Sequence, residues 1–164
     1  MILEEERAGD RAEIAALNRA AFGGGDEAEL ITRLHDDGLV VLSLVAREGG
    51  VVGHILFSAL PVDCDGRALR AVALAPMAVS PEGQRQGIGS ALIKESLERL
   101  RAGGWDAVFV LGHPDYYPRF GFSAEAARKF ASPFAGEAFM ALALRAGALD
   151  GQGGSVAYPA AFNL

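Results

Sequence analysis

Apolar residues recur along this chain with two different spacings, and the alternation between them predicts an α/β protein. Runs in which every second residue or nearly every residue is apolar predict β-strands, whereas apolar residues three or four positions apart predict amphipathic helices. The predicted strands are Ile2–Glu6, Val40–Arg47, Val51–Leu60, Leu69–Val79, Ala107–Leu111 and Phe139–Leu144. The predicted helices are Arg11–Phe22, Glu27–Leu34 and a longer segment that starts near Gly87 and reaches about Leu100.

Turn residues between these segments indicate how the elements connect. Glu48-Gly49-Gly50 predicts a tight hairpin, and a second hairpin is expected through Asp63-Cys64-Asp65-Gly66. Asp10 and Asp26 precede the first two helical patterns and are candidate N-caps. The long helix lies between two apolar strands, and this order implies a right-handed parallel crossover.

In the last third of the chain, the pattern of apolar residues allows more than one interpretation. Tyr116–Phe120 is expected to form a short helical turn, and Phe122 is expected to start another strand. Ser155–Phe162 forms either a last edge strand or an ordered tail. Its apolar part, Val156–Phe162, could pack across the two-fold axis of a homodimer or fold back onto its own sheet.

Composition narrows the classes of protein that fit. The chain has 164 residues, and this length predicts one domain over 1–164. Apolar residues make up 51% of the sequence, which is ample for a packed core. The formal net charge is −6 and no basic stripe is evident, so we expect no nucleic-acid partner. The same acidic balance mildly favours a cationic substrate.

Cysteine and histidine usage argues against metal and disulfide chemistry. Cys64 is the only cysteine, so an intramolecular disulfide and a cysteine-based metal site are both excluded. The three histidines are scattered without metal-ligand spacing, and His54, on an apolar strand, is interpreted as a core histidine. The N-terminus is short and charged, and no apolar stretch could span a bilayer. We therefore expect a cytoplasmic protein that uses no metal and does not contact membranes.

The segment between the fourth strand and the long helix is the strongest candidate binding site. A strand that ends in glycines and long polar residues before a helix presents unpaired backbone N–H groups, and the helix dipole adds positive potential there. Such a turn binds phosphate or pyrophosphate. The predicted ligand-binding residues of this loop are Gln84, Arg85, Gln86, Gly87, Ile88, Gly89 and Ser90.

Two common phosphate motifs do not fit this loop. A dinucleotide fingerprint would need a glycine where Leu92 stands, and a Walker-type loop would need Lys and then Ser or Thr after Gly89. A glycine-rich turn without any ligand is the remaining alternative.

Two motifs resemble those of the GNAT superfamily of N-acetyltransferases. Gln84, Gly87 and Gly89 match its acetyl-CoA signature, which reads Gln or Arg, two variable residues, Gly, one variable residue and Gly or Ala. The segment "YYPRFGF" resembles the Tyr-x-Lys/Arg-x-Gly-Phe element of the same family. Its matching residues are Tyr117, Arg119, Gly121 and Phe122. This segment and the closing "VAYPAAF" are most similar to a bacterial branch whose acceptor substrates are mostly unassigned.

The resemblance implies a fold. GNAT-like acyl-CoA N-acyltransferases have a central mixed, mostly antiparallel sheet of seven strands with helices on both faces. One parallel pair of strands splays apart and leaves a wedge for the pantetheine arm of the coenzyme. Pro76, in the fourth strand, is consistent with a bulge or edge at the matching place, because proline cannot donate to a β-ladder.

The resemblance also implies a reaction, the direct transfer of an acetyl group from acetyl-CoA, the co-substrate, to a primary amine. The acceptor would be a small molecule or a peptide. A backbone N–H from Met77, Ala78 or Val79 is expected to polarise the thioester carbonyl. Tyr117 matches the family tyrosine that protonates the departing thiolate, and Tyr116 is its competitor.

The general base and the overall activity each have more than one candidate. Some family members carry a glutamate base on the fourth strand, but no acid lies between Leu69 and Val79 here. His113 and Asp115 follow the fifth strand and are the candidates for a base. Two alternatives to an N-acetyltransferase are a catalytically silent module that binds acyl-CoA and an acyltransferase that uses a longer acyl donor.

Overall fold

A computed structural model describes residues 1–164, which form eight strands, four α-helices and four short 3-10 helices. The strands are β1 Ile2–Glu5, β2 Val40–Arg47, β3 Val51–Cys64, β4 Arg67–Val79, β5 Ala107–Leu111, β6 Phe130–Ala131, β7 Phe139–Ala143 and β8 Gly154–Val156. The α-helices are α1 Arg11–Phe22, α2 Asp26–Asp36, α3 Ile88–Ala102 and α4 Ala124–Arg128. The alternation of strand and helical patterns in the sequence therefore identified the main elements.

The strands form one mixed sheet. Its neighbours follow the order β1-β2-β3-β4-β5-β7, while β8 pairs with β3 and β6. The pairs β4–β5 and β6–β8 are parallel, and β1–β2, β2–β3, β3–β8 and β5–β7 are antiparallel. The predicted mixed, mostly antiparallel architecture is confirmed. The sheet has eight strands rather than seven, because β6 and β8 are two- and three-residue strands that alternation cannot reveal.

Two local predictions at helix starts were wrong. Phe122 does not start a strand, because the next residue, Ser123, is the N-cap of α4 and its Oγ accepts a hydrogen bond from the Ala126 N–H at 2.9 Å. Asp26 is the first residue of α2 rather than its cap, which is Gly25. Asp10 is the N-cap residue of α1, as predicted, but its carboxylate accepts from the Arg7 N–H and forms no cap bond to the helix.

Contacts between residues divide the chain into two compact units, and the prediction of one domain stays a prediction. The first unit comprises Met1–Ser58 and Ala75–Glu98. Within it, a Cβ on Gly53 of β3 would lie 2.7 Å from Ile88 Cγ2 of α3. The adjacent residue, His54, points to the other face of the strand, where its ring lies 3.5 Å from the Asn18 amide of α1. Helices α1 and α3 therefore cover opposite faces of this part of the sheet, as predicted.

His54 is a core residue, as its position on an apolar strand indicated. It is fully buried, and its Nε2 lies 3.0 Å from the Oγ of Ser43, which is also buried. Burial lowers the pKa of the imidazole to about 3, and the charge of His35 acts in the same direction. The ring is therefore neutral at physiological pH.

The second unit comprises Ala59–Leu74 and Arg99–Leu164. Here β4 and β5 pair in parallel from Ala71 opposite Ala107 to Leu74 opposite Val110. The pairing ends at Leu74, although β4 continues to Val79. Pro76 stands in the part of β4 beyond this pairing, where the missing N–H costs no hydrogen bond to β5. The parallel pairing therefore ends where the resemblance implied a splayed pair, and the wedge itself stays a prediction.

An aromatic cluster fills the core of the second unit and also fixes the tail. The Phe109 ring contacts Phe130 edge-on, with centroids 5.4 Å apart, and stacks on Phe139 at 5.8 Å. From the tail, the Tyr158 ring lies 5.1 Å from Phe134 and 5.0 Å from Phe162. The tail thus packs against its own chain, and a homodimer formed through it stays a prediction. Nowhere in the chain is a helix both long enough and apolar enough to cross a bilayer.

Candidate active site

The loop before α3 adopts a backbone that favours anion binding. Arg85 and Gly87 both have left-handed backbone angles, with φ of 65° and 80°. Left-handed residues alternating along a turn direct successive N–H groups into one concavity, the kind that holds phosphate groups. Glycine reaches this conformation without strain, whereas Arg85 adopts it against the preference of a residue with a Cβ.

The first turn of α3 extends the same row of donors. The Ala91 N–H donates to the Gly87 carbonyl at 3.0 Å, which makes Gly87 the N-cap. The amides of Ile88 and Gly89 therefore precede the first hydrogen bond within the helix. The positive end of the helix dipole lies at the same place, so both the donors and the potential favour an anion.

Backbone and side-chain hydrogen bonds hold this loop. The Ser80 N–H donates to the Val52 carbonyl of β3 at 2.8 Å, and the Gly83 N–H donates to the Ser80 carbonyl at 2.9 Å. Gln84 Nε2 donates to the Val79 carbonyl at 3.3 Å, and Gln86 Nε2 donates to the Glu82 carbonyl at 3.2 Å. Both glutamine side chains therefore turn back onto the loop.

Gly53 sets how closely α3 can approach the sheet. A Cβ there would lie 2.7 Å from Ile88 Cγ2 and 3.0 Å from Leu92 Cδ1, closer than carbon atoms pack. The first turn of α3 can lie at this depth only because β3 carries a glycine. Sequence reasoning missed this residue, although a glycine inside an apolar strand is a signal of close backbone approach.

The end of β4 lies in the same unit as the loop. Ala78 is buried, whereas its neighbours Met77 and Val79 are half-buried and occupy the other face of the strand. All the predicted coenzyme-binding residues lie within the first unit. These are Met77, Ala78, Val79, Gln84, Arg85, Gln86, Gly87, Ile88, Gly89 and Ser90.

Tyr117 belongs to the second unit, where its ring is held on several sides. Only 7% of the residue is exposed. The ring packs edge-on against Phe122, with centroids 5.6 Å apart, and lies directly over Gly112, where any Cβ would overlap it. The Tyr117 N–H donates to the His113 carbonyl at 3.3 Å. Gly112 is a second residue that sequence reasoning missed, and its signal is a glycine directly after an apolar strand.

Burial raises the pKa of the Tyr117 phenol to about 12, and the adjacent Tyr116 acts in the same direction. The phenol is therefore fully protonated at neutral pH, as a general acid must be before it acts.

The neighbours of Tyr117 have different surroundings. The Tyr116 ring is half-buried and contacts Tyr117 edge-on at 5.2 Å, and the Arg119 guanidinium lies 5.4 Å from its centroid. The side chains of His113 and Asp115, the candidate bases, are exposed. The two adjacent tyrosine rings thus contact each other but differ in burial.

Comparison with protein families and curated proteins gives a consistent result. Residues 5–124 match the acetyltransferase (GNAT) domain family. The chain is 38% identical over 167 residues to YhbS of Escherichia coli strain K12, described as an uncharacterised N-acetyltransferase, and the match covers 99% of each protein.

Two solved structures resemble the chain over almost its whole length. A crystal structure of Escherichia coli YhbS in complex with CoA superposes with a TM-score of 0.90 at 37% identity, covering 99% of this chain and 92% of that one. A GNAT family acetyltransferase from Brucella melitensis, in complex with acetyl-CoA, superposes with a TM-score of 0.81 at 36% identity, covering 98% and 97%.

Proposed function

This chain belongs to the GNAT acetyltransferase family, and on that premise we propose that it transfers the acetyl group of acetyl-CoA directly to a primary amine. It is an acetyl-CoA-dependent N-acetyltransferase, with acetyl-CoA as co-substrate. The finer elements of the proposal are the amine acceptor, the direct transfer and the roles of individual residues.

The observation that carries the proposal is the backbone of the loop before α3. Two left-handed residues, Arg85 and Gly87, precede a helix start whose first amides lie ahead of any intrahelical hydrogen bond. This arrangement supplies several N–H donors and a positive potential to one diphosphate. Arg85 adds a formal positive charge in a protein of net charge −6. We assign the coenzyme diphosphate to the amides of residues 85–90.

The chemical step is a nucleophilic substitution at the thioester carbonyl. The amine nitrogen attacks the carbonyl carbon, the carbon–sulfur bond breaks and the thiolate leaves. A backbone N–H from Met77, Ala78 or Val79 stabilises the negative charge that develops on the carbonyl oxygen. Tyr117 donates its proton to the thiolate, and its buried ring, held by Phe122, supports this role.

The attacking amine must lose protons, and we assign no residue to that step. The stretch of β4 from Leu69 to Val79 contains no carboxylate. His113 and Asp115 stay candidates because they follow β5 on the same loop as Tyr117.

The test combines turnover with binding. Thiol release from acetyl-CoA is followed in the presence of polyamines, peptides with a free amino terminus, or aminoglycosides. CoA binding is measured separately by calorimetry. We expect binding together with amine-dependent thiol release for at least one acceptor class. Binding without turnover for every amine would instead support a silent acyl-CoA-binding module. Faster turnover with a longer acyl-CoA in a competition assay would show that the acyl donor is this longer thioester and not acetyl-CoA.

A further inference from the structure

The exposed side chains of Gln84 and Gln86 form hydrogen bonds to the loop itself, and this separates their role from that of the backbone amides. Gln84 Nε2 bonds to the carbonyl of Val79, the last residue of β4. Gln86 Nε2 bonds to the carbonyl of Glu82, four residues earlier. A side-chain amide used in this way orients a peptide group of the loop rather than a ligand.

The peptide group that accepts the Gln84 hydrogen bond is also held by a second hydrogen bond, through its N–H. The Val79 carbonyl and the Ser80 N–H belong to one peptide plane. The carbonyl accepts from Gln84 at 3.3 Å, and the N–H donates to the Val52 carbonyl of β3 at 2.8 Å. The plane at which β4 turns into the loop is therefore fixed between a neighbouring strand and a side chain five residues further along.

The Gln86 bond acts on the second half of the same loop. It links the short helical turn Pro81–Gly83 to the residue between the two left-handed positions, Arg85 and Gly87. Arg85 is strained in that conformation, so an additional hydrogen bond beside it helps to maintain the turn. These bonds restrict the shape of the loop, and a restricted loop loses less entropy on binding a ligand.

We propose that Gln84 and Gln86 are positioning residues, which hold the loop before α3 in its anion-binding form while the backbone amides contact the coenzyme. Gln84 additionally fixes the end of β4, so it couples the diphosphate loop to the strand that carries the carbonyl-polarising N–H. This inference rests on the proposed function of the loop. The sequence placed both residues among the ligand-binding residues of the loop, and this inference gives their side chains a positioning role there.

The test uses Gln84→Glu and Gln86→Glu, because glutamate keeps the length of the side chain but cannot donate. Both positions are exposed, so we expect the variants to fold. Amide hydrogen exchange is measured by NMR on the ligand-free protein, and CoA affinity is measured by calorimetry. Gln84→Met and Gln86→Met also cannot donate but add no charge, so they separate the loss of the hydrogen bond from repulsion between a carboxylate and the diphosphate. Gln152→Glu, an exposed glutamine in the second unit, controls for the change in net charge.

In the ligand-free Gln84→Glu variant we expect faster exchange at Ser80 and Gly83 and about five- to tenfold weaker CoA binding, the loss of one hydrogen bond. Its kcat should also fall, whereas Gln86→Glu should raise the KM for acetyl-CoA with little change in kcat. Gln152→Glu should match the wild type in every measurement.

Two results would overturn the inference. One is unchanged exchange at Ser80 and Gly83 in ligand-free Gln84→Glu, which would mean that the side chain does not shape the loop. The other is faster exchange with unchanged CoA affinity, which would mean that the loop shape does not matter for binding. Failure of the wild-type protein to bind CoA would instead refute the proposed function, so the two failures are distinguishable.

Discussion

Tyr117 combines a ring held by packing with a phenol that stays protonated. Its contacts with Phe122 and Gly112 restrict the ring, and burial raises its pKa to about 12. We expect Tyr117→Phe to lower kcat by about a hundredfold or more, because a positioned general acid contributes this much, with little change in the KM for acetyl-CoA. Steady-state kinetics across pH 6 to 9 checks this. Unchanged turnover in Tyr117→Phe, with loss of turnover in Tyr116→Phe, would reverse the assignment.

Gly112 tests whether the position of the tyrosine ring matters, without altering the phenol. A methyl group at this residue would overlap the Tyr117 ring, so Gly112→Ala must displace it. We expect a destabilisation of about 1–3 kcal/mol, typical of overpacking, together with a lower kcat. Urea unfolding and kinetics are measured side by side. A variant with normal kcat would show that the ring position is unimportant for turnover.

At the scale of elements, the contact between β3 and α3 fixes the depth of the helix start. Gly53→Ala would place a Cβ 2.7 Å from Ile88, so the first turn of α3 has to move outward. We expect about 1–3 kcal/mol of destabilisation and weaker CoA binding, measured by urea unfolding and calorimetry. Gly24→Ala is the matched control, since nothing lies within 4 Å of a Cβ there. Equal CoA affinity in the two variants would contradict this role of the contact.

The sequence predicted well those helices and strands that are long enough for the apolar spacing to repeat several times. It predicted the shorter elements poorly. The long strands β2, β3 and β4 and the helix α3 follow from apolar spacing, and the loop before α3 follows from its glycines and its resemblance to the family signature. The two-residue strand β6 could not be predicted, because its pairing with β8 depends on residues more than twenty positions away. The helix α4 was missed since the cap at Ser123 was interpreted as part of a strand.

The sequence also did not identify site residues whose role depends on close contacts in the folded chain. Gly53 and Gly112 matter through atoms of Ile88 and Tyr117, which only the folded chain brings near. The side-chain bonds of Gln84 and Gln86 likewise depend on the turn geometry and not on residue type alone. The motif identified the loop. The structure distinguishes the backbone N–H groups of the loop from the glutamine side chains that hold its shape.

At the scale of the whole molecule, the buried His54 makes stability depend on pH. Its pKa is about 3 when folded and about 6.5 in an unfolded chain, so between these values the unfolded state binds the extra proton. Stability should therefore fall as pH decreases from 6.5 to 5, with a slope from this residue of up to about 1.4 kcal/mol per pH unit. Urea unfolding of the wild type and His54→Gln measures it, with the exposed His113→Gln as control. The same slope in wild type and His54→Gln would contradict this account.

The central claim is that the backbone amides at the start of α3 bind the diphosphate of coenzyme A. An NMR titration of the ¹⁵N-labelled protein with CoA tests it most directly. We predict that the largest amide shift changes fall on Arg85, Gln86, Gly87, Ile88 and Gly89, and that they saturate together with the calorimetric binding curve. Binding that leaves these amides unshifted, or no binding at all, would contradict the account.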